Sequence, residues 1–134
     1  KNPFKKNAHF SLADRIKLAK KFTKNLKKIQ VLYLDKLVKS SKSIDLINYF
    51  IKKKGIENIY FIVGSDILLE LHKWKNWKKL VKLTKLVVFS RKGYDKKSKN
   101  STVVKYLKNK NIIYIKNKPI VISSSFLKKK LIKN

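Results

Sequence analysis

Apolar positions near the start of the chain recur at helical spacing. Leu12, Ile16, Ala19 and Phe22 follow Ser11-Leu12-Ala13-Asp14, a capping-box start with Asp in place of the usual Glu. This predicts a first helix over about residues 12 to 27. Ile29 to Leu34 reads as a short strand, and Lys39-Ser40-Ser41-Lys42-Ser43 as a polar loop able to cap a second helix over about 44 to 54. Gly55 then stands where a C-terminal cap is expected. Asn58 to Val63 is predicted to be a buried strand, because an apolar run that stops at Gly64 and Asp66 has the form of a parallel strand delivering its carboxyl end to a crevice.

Beyond Asp66 the pattern gives a short helix over 67–71 and another over Asn76 to Val81. An apolar strand, Leu86 to Phe89, is ended by Ser90-Arg91-Lys92-Gly93-Tyr94. Lys96 to Asn100 reads as a solvated loop with nothing to bury. A helix over about 101–108 leads to the strand Ile112 to Ile115, then to Pro119, the brief apolar Ile120-Val121-Ile122, and a final helix opened by Ser123-Ser124-Ser125. Helices alternating with short apolar strands predict an α/β fold with a mostly parallel sheet. There is no internal repeat and no long linker, so residues 1–134 are expected to form a single domain. In such sheets ligands collect beyond the carboxyl ends of strands. The expected crevice is lined by Gly64 and Asp66, by Ser90 and Arg91, and by the serines at 123–125.

Composition narrows the chemistry. The chain has no cysteine, which excludes disulfides and thiolate metal sites, and its two histidines, His9 and His72, cannot make a metal site alone. Neither has an acid at helical spacing, and both read as surface residues. No apolar run approaches the roughly 18 residues of a membrane span, and the reading is of a cytoplasmic protein without a membrane partner. The net charge of +29 attracts phosphates and by itself suggests nucleic acid. The charge is nearly all lysine and spread along the chain, whereas nucleic-acid readers cluster charge and favour arginine, so the favoured reading is an ordinary solvated surface. Against this background Arg15 and Arg91 are the exceptions, and Asp66 is one of only seven acids.

Each candidate has a plain reading beside the functional one. The serines at 123–125 offer hydroxyls and free N–H groups at a helix start, a phosphate site in kind, or a simple N-cap. Asp66 could accept from a ribose hydroxyl or a bound amide, or cap the helix at 67–71. Trp74 and Trp77, three apart, would share a helical face and pack in the core, or one could stack on a flat ligand. Arg91 could grip a phosphate or purine edge, or form a surface ion pair. No nucleophile elbow and no Walker-type loop is present, so covalent catalysis and P-loop hydrolysis have no support.

Taken in order, these pieces resemble the bacterial nicotinate-nucleotide adenylyltransferases. The matching stretches are Asn2-Pro3-Phe4-Lys5, Arg15 with Leu18-Ala19, Ser41-Lys42-Ser43-Ile44-Asp45, and Phe61-Ile62-Val63-Gly64-Ser65-Asp66 with Trp74 eight residues on. Ser90-Arg91-Lys92-Gly93-Tyr94 follows, then Ile122-Ser123-Ser124-Ser125-Phe126-Leu127-Lys128, similar to the family's ISSTxIR signature. The resemblance implies a Rossmann-like nucleotidyltransferase fold and adenylyl transfer from ATP to nicotinate mononucleotide, with Mg²⁺ assisting and pyrophosphate leaving. On that analogy Gly64 and Asp66 would hold the nucleotide sugar, and Arg91 would approach the adenine. Trp74 would stack near the nicotinate ring, and Ser43 would seat its carboxylate. Ser123, Ser124, Ser125 and Lys128 would receive the ATP phosphates, with Lys5 reaching a phosphate from the other side.

Two departures accompany the resemblance. Lys128 stands where the family usually has arginine, which keeps charge but loses the bidentate fork. The family's first strand and its GGSFDPxHxGH segment, whose histidines contact ATP, have no counterpart, so no catalytic residue is carried over. The chain begins at Lys1, contains no methionine, and reads as the tail of something longer. If the missing strand is central, an open slot and an exposed apolar edge are expected beside the strand at 58–63, with poor catalysis and marginal stability. The alternatives are another adenylyltransferase of the superfamily, such as one acting on phosphopantetheine, a basic nucleic-acid-binding module, or an inactive remnant. Trp74 and Ser43-Ile44-Asp45 favour the nicotinate branch over the first of these.

Overall fold

The computed structural model describes residues 10–116. These divide between two compact units, one holding the residues up to Ser41 and the other those from Lys42 onward.

In the first unit, α1 spans Leu12–Thr23 and is capped as its sequence predicts: the Ser11 hydroxyl accepts from the Asp14 N–H at 3.1 Å. The helix stops short of residue 27. Of its periodic apolar positions Ile16 and Ala19 are half-buried while Leu12 and Phe22 are exposed, Phe22 at 78%, and no residue of the helix is fully buried. The strand expected at Ile29 to Leu34 does not form. That stretch is irregular and leads into the single turn of α2, Asp35–Val38. A strand needs a neighbour to satisfy its backbone, and the sheet among the described residues contains no member from this unit.

The second unit is a parallel α/β layer. Its elements run α3 (Ser43–Lys54), β1 (Tyr60–Gly64), α4 (Ser65–Glu70), a 3₁₀ turn at Leu71–Lys73, α5 (Trp77–Leu83), β2 (Lys85–Phe89), α6 (Asp95–Ser98), α7 (Thr102–Leu107) and β3 (Ile112–Ile115). Helix α3 buries Ile44 and Ile47 and packs Ile51 beside them, one stripe at helical spacing. Gly55 ends it in the left-handed region at φ 62°, where its Cβ position is open space. Gly55→Ala is therefore expected to cost about 1–2 kcal/mol through backbone strain alone. A shifted denaturation midpoint with an unchanged slope would record it.

The three strands are parallel in the order β1-β2-β3, with Phe61 opposite Leu86 and Leu86 opposite Ile112. That face carries the core. Val63, Leu86 and Val88 cluster with Leu68 and Leu71 beyond β1, Leu80 and Val81 of α5, and Val103 and Val104 of α7. On the other face, in register, stand Ile62, Val87 and Ile113, of which Ile62 is 65% exposed.

The sequence marks β1 as the buried strand, and the structure corrects this. Among the described residues β1 is an edge strand with only Val63 buried, while β2 is central and buries Leu86, Val87 and Val88. A second correction falls at Lys96 to Asn100. Residues 95–98 form α6, and Ser98 is fully buried, its hydroxyl donating to the Asp95 carbonyl at 2.9 Å. A serine tied to its own turn can enter a core that its lysine neighbours cannot.

Candidate functional site

Parallel register brings the carboxyl ends of the strands into one row, with Gly64 opposite Phe89 and Phe89 opposite Ile115. The residues just past β1 and β2 therefore meet. Arg91 Nη1 lies 2.5 Å from Asp66 Oδ2, closing an ion pair across 25 residues of sequence. The Asp66 side chain is 22% exposed and that of Arg91 53%. The other Asp66 oxygen, Oδ1, is buried without a hydrogen-bond partner.

Gly64 makes this arrangement possible. A Cβ added there would fall 2.5 Å from Asp66 Oδ1 and 3.8 Å from Arg91 Cδ, so the close approach leaves no room for a side chain. Its own φ of −82° is ordinary, and the requirement is one of space. Asp66 is not the N-cap of the following helix: α4 starts at Ser65, its N-cap position is Gly64, and no side chain caps it. The plain reading of Arg91 as an ion pair is true, but its partner is the other candidate residue.

Trp74 and Trp77 do not share a helical face. Trp74 follows the 3₁₀ turn in an extended conformation, Asn76 turns left-handed at φ 54°, and α5 begins at Trp77. Trp77 meets Tyr106 edge-on at 5.0 Å between ring centres, and Trp74 meets Phe61 likewise at 6.3 Å. Trp74 packs against the core, with its indole Nε1 buried and unpartnered. Ser43 opens α3 and is half-buried. His72, expected at the surface, is half-buried with Nδ1 enclosed and unpartnered. Lys5, His9, Ser123, Ser124, Ser125, Lys128, the apolar segment at 120–122 and the final helix lie outside the described residues.

Two residues that the sequence reading passed over hold the row together. Ser65 is fully buried, and its hydroxyl accepts from the Arg91 N–H at 3.0 Å. The Asp95 carboxylate takes hydrogen bonds from the Ser90 hydroxyl and, at 3.0 Å, from the Arg91 N–H. The Ser90 hydroxyl chiefly, then Ser65 and the Arg91 amide, hold the Asp95 carboxyl below its ordinary 3.8. Asp95 had one legible signal: like Asp66, it is a rare acid in a lysine-rich chain.

A group whose folded pKa is depressed contributes stability above its unfolded value and loses it as pH falls through the folded one. Wild type is thus expected to hold an advantage over Asp95→Asn that is constant above pH 5 and disappears below the ordinary 3.8. Denaturant titrations of both proteins from pH 2.5 to 7 check this; an equal difference at every pH contradicts it.

The parallel sheet with helices between its strands, and with an acid and a cation gathered at adjoining strand tips, defines an α/β domain of Rossmann-like type. Consistent with that class, residues 1–130 match the cytidylyltransferase-like family model. A probable nicotinate-nucleotide adenylyltransferase of Pelagibacter ubique is 43% identical over 128 residues, which cover 96% of this chain and 71% of the relative. One from Fusobacterium nucleatum is 37% identical over 120 residues, covering 87% and 60%. A probable nicotinate-nucleotide adenylyltransferase/Ap4A hydrolase of Mycoplasma genitalium is 39% identical over 106 residues, covering 78% and 30%. The chain belongs to the nicotinate-nucleotide adenylyltransferase family.

Proposed function

We propose that the chain transfers the adenylyl group of ATP to nicotinate mononucleotide, giving deamido-NAD and pyrophosphate in NAD biosynthesis. The observation that carries this reading is the Asp66–Arg91 pair at the strand tips, with Asp66 Oδ1 buried and unmet above Gly64. A carboxylate oxygen held this way suits a sugar hydroxyl, which donates. Arg91 spends one nitrogen on Asp66 and keeps further in-plane N–H donors for an adenine edge. The names of the relatives favour the nicotinate acceptor over phosphopantetheine.

In the reaction a phosphate oxygen of the mononucleotide attacks the α-phosphorus of ATP, and the bond to the β-phosphate oxygen breaks as pyrophosphate leaves. The incoming nucleophile belongs to the substrate. The protein's share is alignment and neutralisation of charge. Gly64 and Asp66 take the sugar and Arg91 the base. Trp74 faces the nicotinate ring and Ser43 its carboxylate, while Lys5, Ser123, Ser124, Ser125 and Lys128 serve the phosphates. The unpartnered Trp74 indole N–H is compatible with a place beside a ligand. Mg²⁺ would accompany the ATP phosphates as their counter-ion and help neutralise the charge of the leaving pyrophosphate. No described helix is long and apolar enough to cross a membrane. A cytoplasmic setting, where ATP and mononucleotides are found, completes the reading.

The test is pyrophosphate release by the full chain with ATP and, in parallel, nicotinate mononucleotide, nicotinamide mononucleotide or phosphopantetheine, beside a direct ATP titration. The expected result is saturable ATP binding and the fastest release with nicotinate mononucleotide. Preference for phosphopantetheine overturns the acceptor, and failure to bind ATP overturns the site.

A further inference from the structure

Arg91 is set in place through its backbone as well as through its guanidinium. Its backbone N–H is shared between Ser65 Oγ and Asp95 Oδ1, each at 3.0 Å. Ser65 adjoins Asp66 at the tip of β1, and Ser90, whose hydroxyl also donates to Asp95, stands at the tip of β2. The Arg91 N–H thus joins Ser65, past the tip of β1, to the Asp95 carboxylate, which also holds Ser90 at the tip of β2. Asp95 is itself anchored. Its carbonyl accepts from the Ser98 hydroxyl at 2.9 Å and from the Lys99 N–H at 3.3 Å, and Ser98 is fully buried.

We propose that Asp95 is a positioning residue of the nucleotide site, fixing through Ser90 and the Arg91 backbone the approach of the Arg91 guanidinium to Asp66. This rests on the reading of the strand tips as a nucleotide site. A carboxylate suits the place because the Arg91 N–H and the Ser90 hydroxyl both donate to it, and a charged acceptor makes both bonds stronger. An asparagine of the same shape keeps one neutral acceptor, and its amide must turn the Ser90 hydroxyl from donor to acceptor. One of the two tethers of the Arg91 backbone is then weakened, and the guanidinium, at the end of a long flexible side chain, starts from a less fixed origin. The exposed Asp66–Arg91 pair is too weak to hold the loop alone.

A double-mutant cycle on the full chain separates positioning from general structure. ATP affinity is measured by titration calorimetry for wild type, Asp95→Asn, Arg91→Ala and the double variant. Asp95→Asn is expected to weaken ATP binding about tenfold when Arg91 is present, as follows from a weakened charged hydrogen bond, and less than about twofold when Arg91 is already alanine. Equal losses in both backgrounds, or none in either, overturn the proposal.

Amide hydrogen exchange of the unliganded proteins provides a readout independent of nucleotide. In Asp95→Asn the Arg91 amide is expected to exchange at least tenfold faster while the Val87 and Val88 amides of β2 keep their protection. Unchanged exchange at Arg91 overturns the proposal even if ATP binds. Faster exchange in a chain that binds no ATP retains the tether while refuting the nucleotide reading, and with it the role in a nucleotide site. Should Asp95→Asn not fold, Ser90→Ala removes a single donor and is expected to give a smaller loss with the same dependence on Arg91; no such dependence overturns the proposal.

Discussion

Asp66→Ala is expected to lower ATP affinity by about tenfold to a hundredfold while leaving the unfolding midpoint nearly unchanged. The loss corresponds to removing hydrogen bonds to a charged acceptor, worth about 1.5–3 kcal/mol. The small effect on stability follows from the partner. Arg91 is half exposed, and an ion pair of that kind contributes about 0–1 kcal/mol. Losing the carboxylate also removes an unmet buried oxygen, Oδ1, which offsets part of the cost. Gly64→Ala approaches the same result without touching the acid, since the added methyl would fall 2.5 Å from Asp66 Oδ1 and must displace it. The two changes act on one oxygen, so combining them is expected to add little to Asp66→Ala alone. Calorimetric titration with ATP, paired with denaturation curves, reads both quantities. Full additivity of the two substitutions, or an unfolding midpoint that collapses in Asp66→Ala, would contradict this account.

The largest loss of stability is expected at Leu68. It is fully buried on α4, among Leu71, Leu80 and Val103 in the core cluster. Truncation to alanine removes transfer free energy and leaves a cavity, costing about 2–5 kcal/mol. Against a typical domain stability of about 5–15 kcal/mol this is a large fraction. At a urea slope of about 1–3 kcal/mol/M the midpoint should fall by about 1–2 M. Ile62→Ala is the control: the same kind of apolar residue, but 65% exposed, with an expected change under about 0.5 kcal/mol. Equal midpoint shifts at the two positions would mean that the core lies on the other face.

Local features were legible where the signal and the structure share a scale of a few residues. The cap at Ser11, the buried stripe of α3 and the left-handed Gly55 each depend on near neighbours, and each is observed. The Asp66–Arg91 meeting was legible by a different route. Two apolar runs ending in a charged tip, with helical spacing between them, imply parallel strands with adjoining carboxyl ends.

What failed depended on partners that a linear pattern does not contain. Ile29 to Leu34 has strand composition but no strand beside it. The two tryptophans have helical spacing, yet Asn76 takes a left-handed turn between them, a conformation open to many asparagines and announced by few. The burial of Ser98 and Ser65 follows from α6 and α4 packing against each other.

The sequence by itself determined the alternating α/β order and the glycine-and-acid tip of β1, because turn chemistry and apolar periodicity act within a few residues. Only the tertiary structure decided that, among the described residues, β2 is central and β1 an edge, and that Ser65 and Asp95 meet at the Arg91 N–H. Strand order and long-range hydrogen bonds are set by which surfaces meet, and many arrangements of the same elements satisfy the same local pattern.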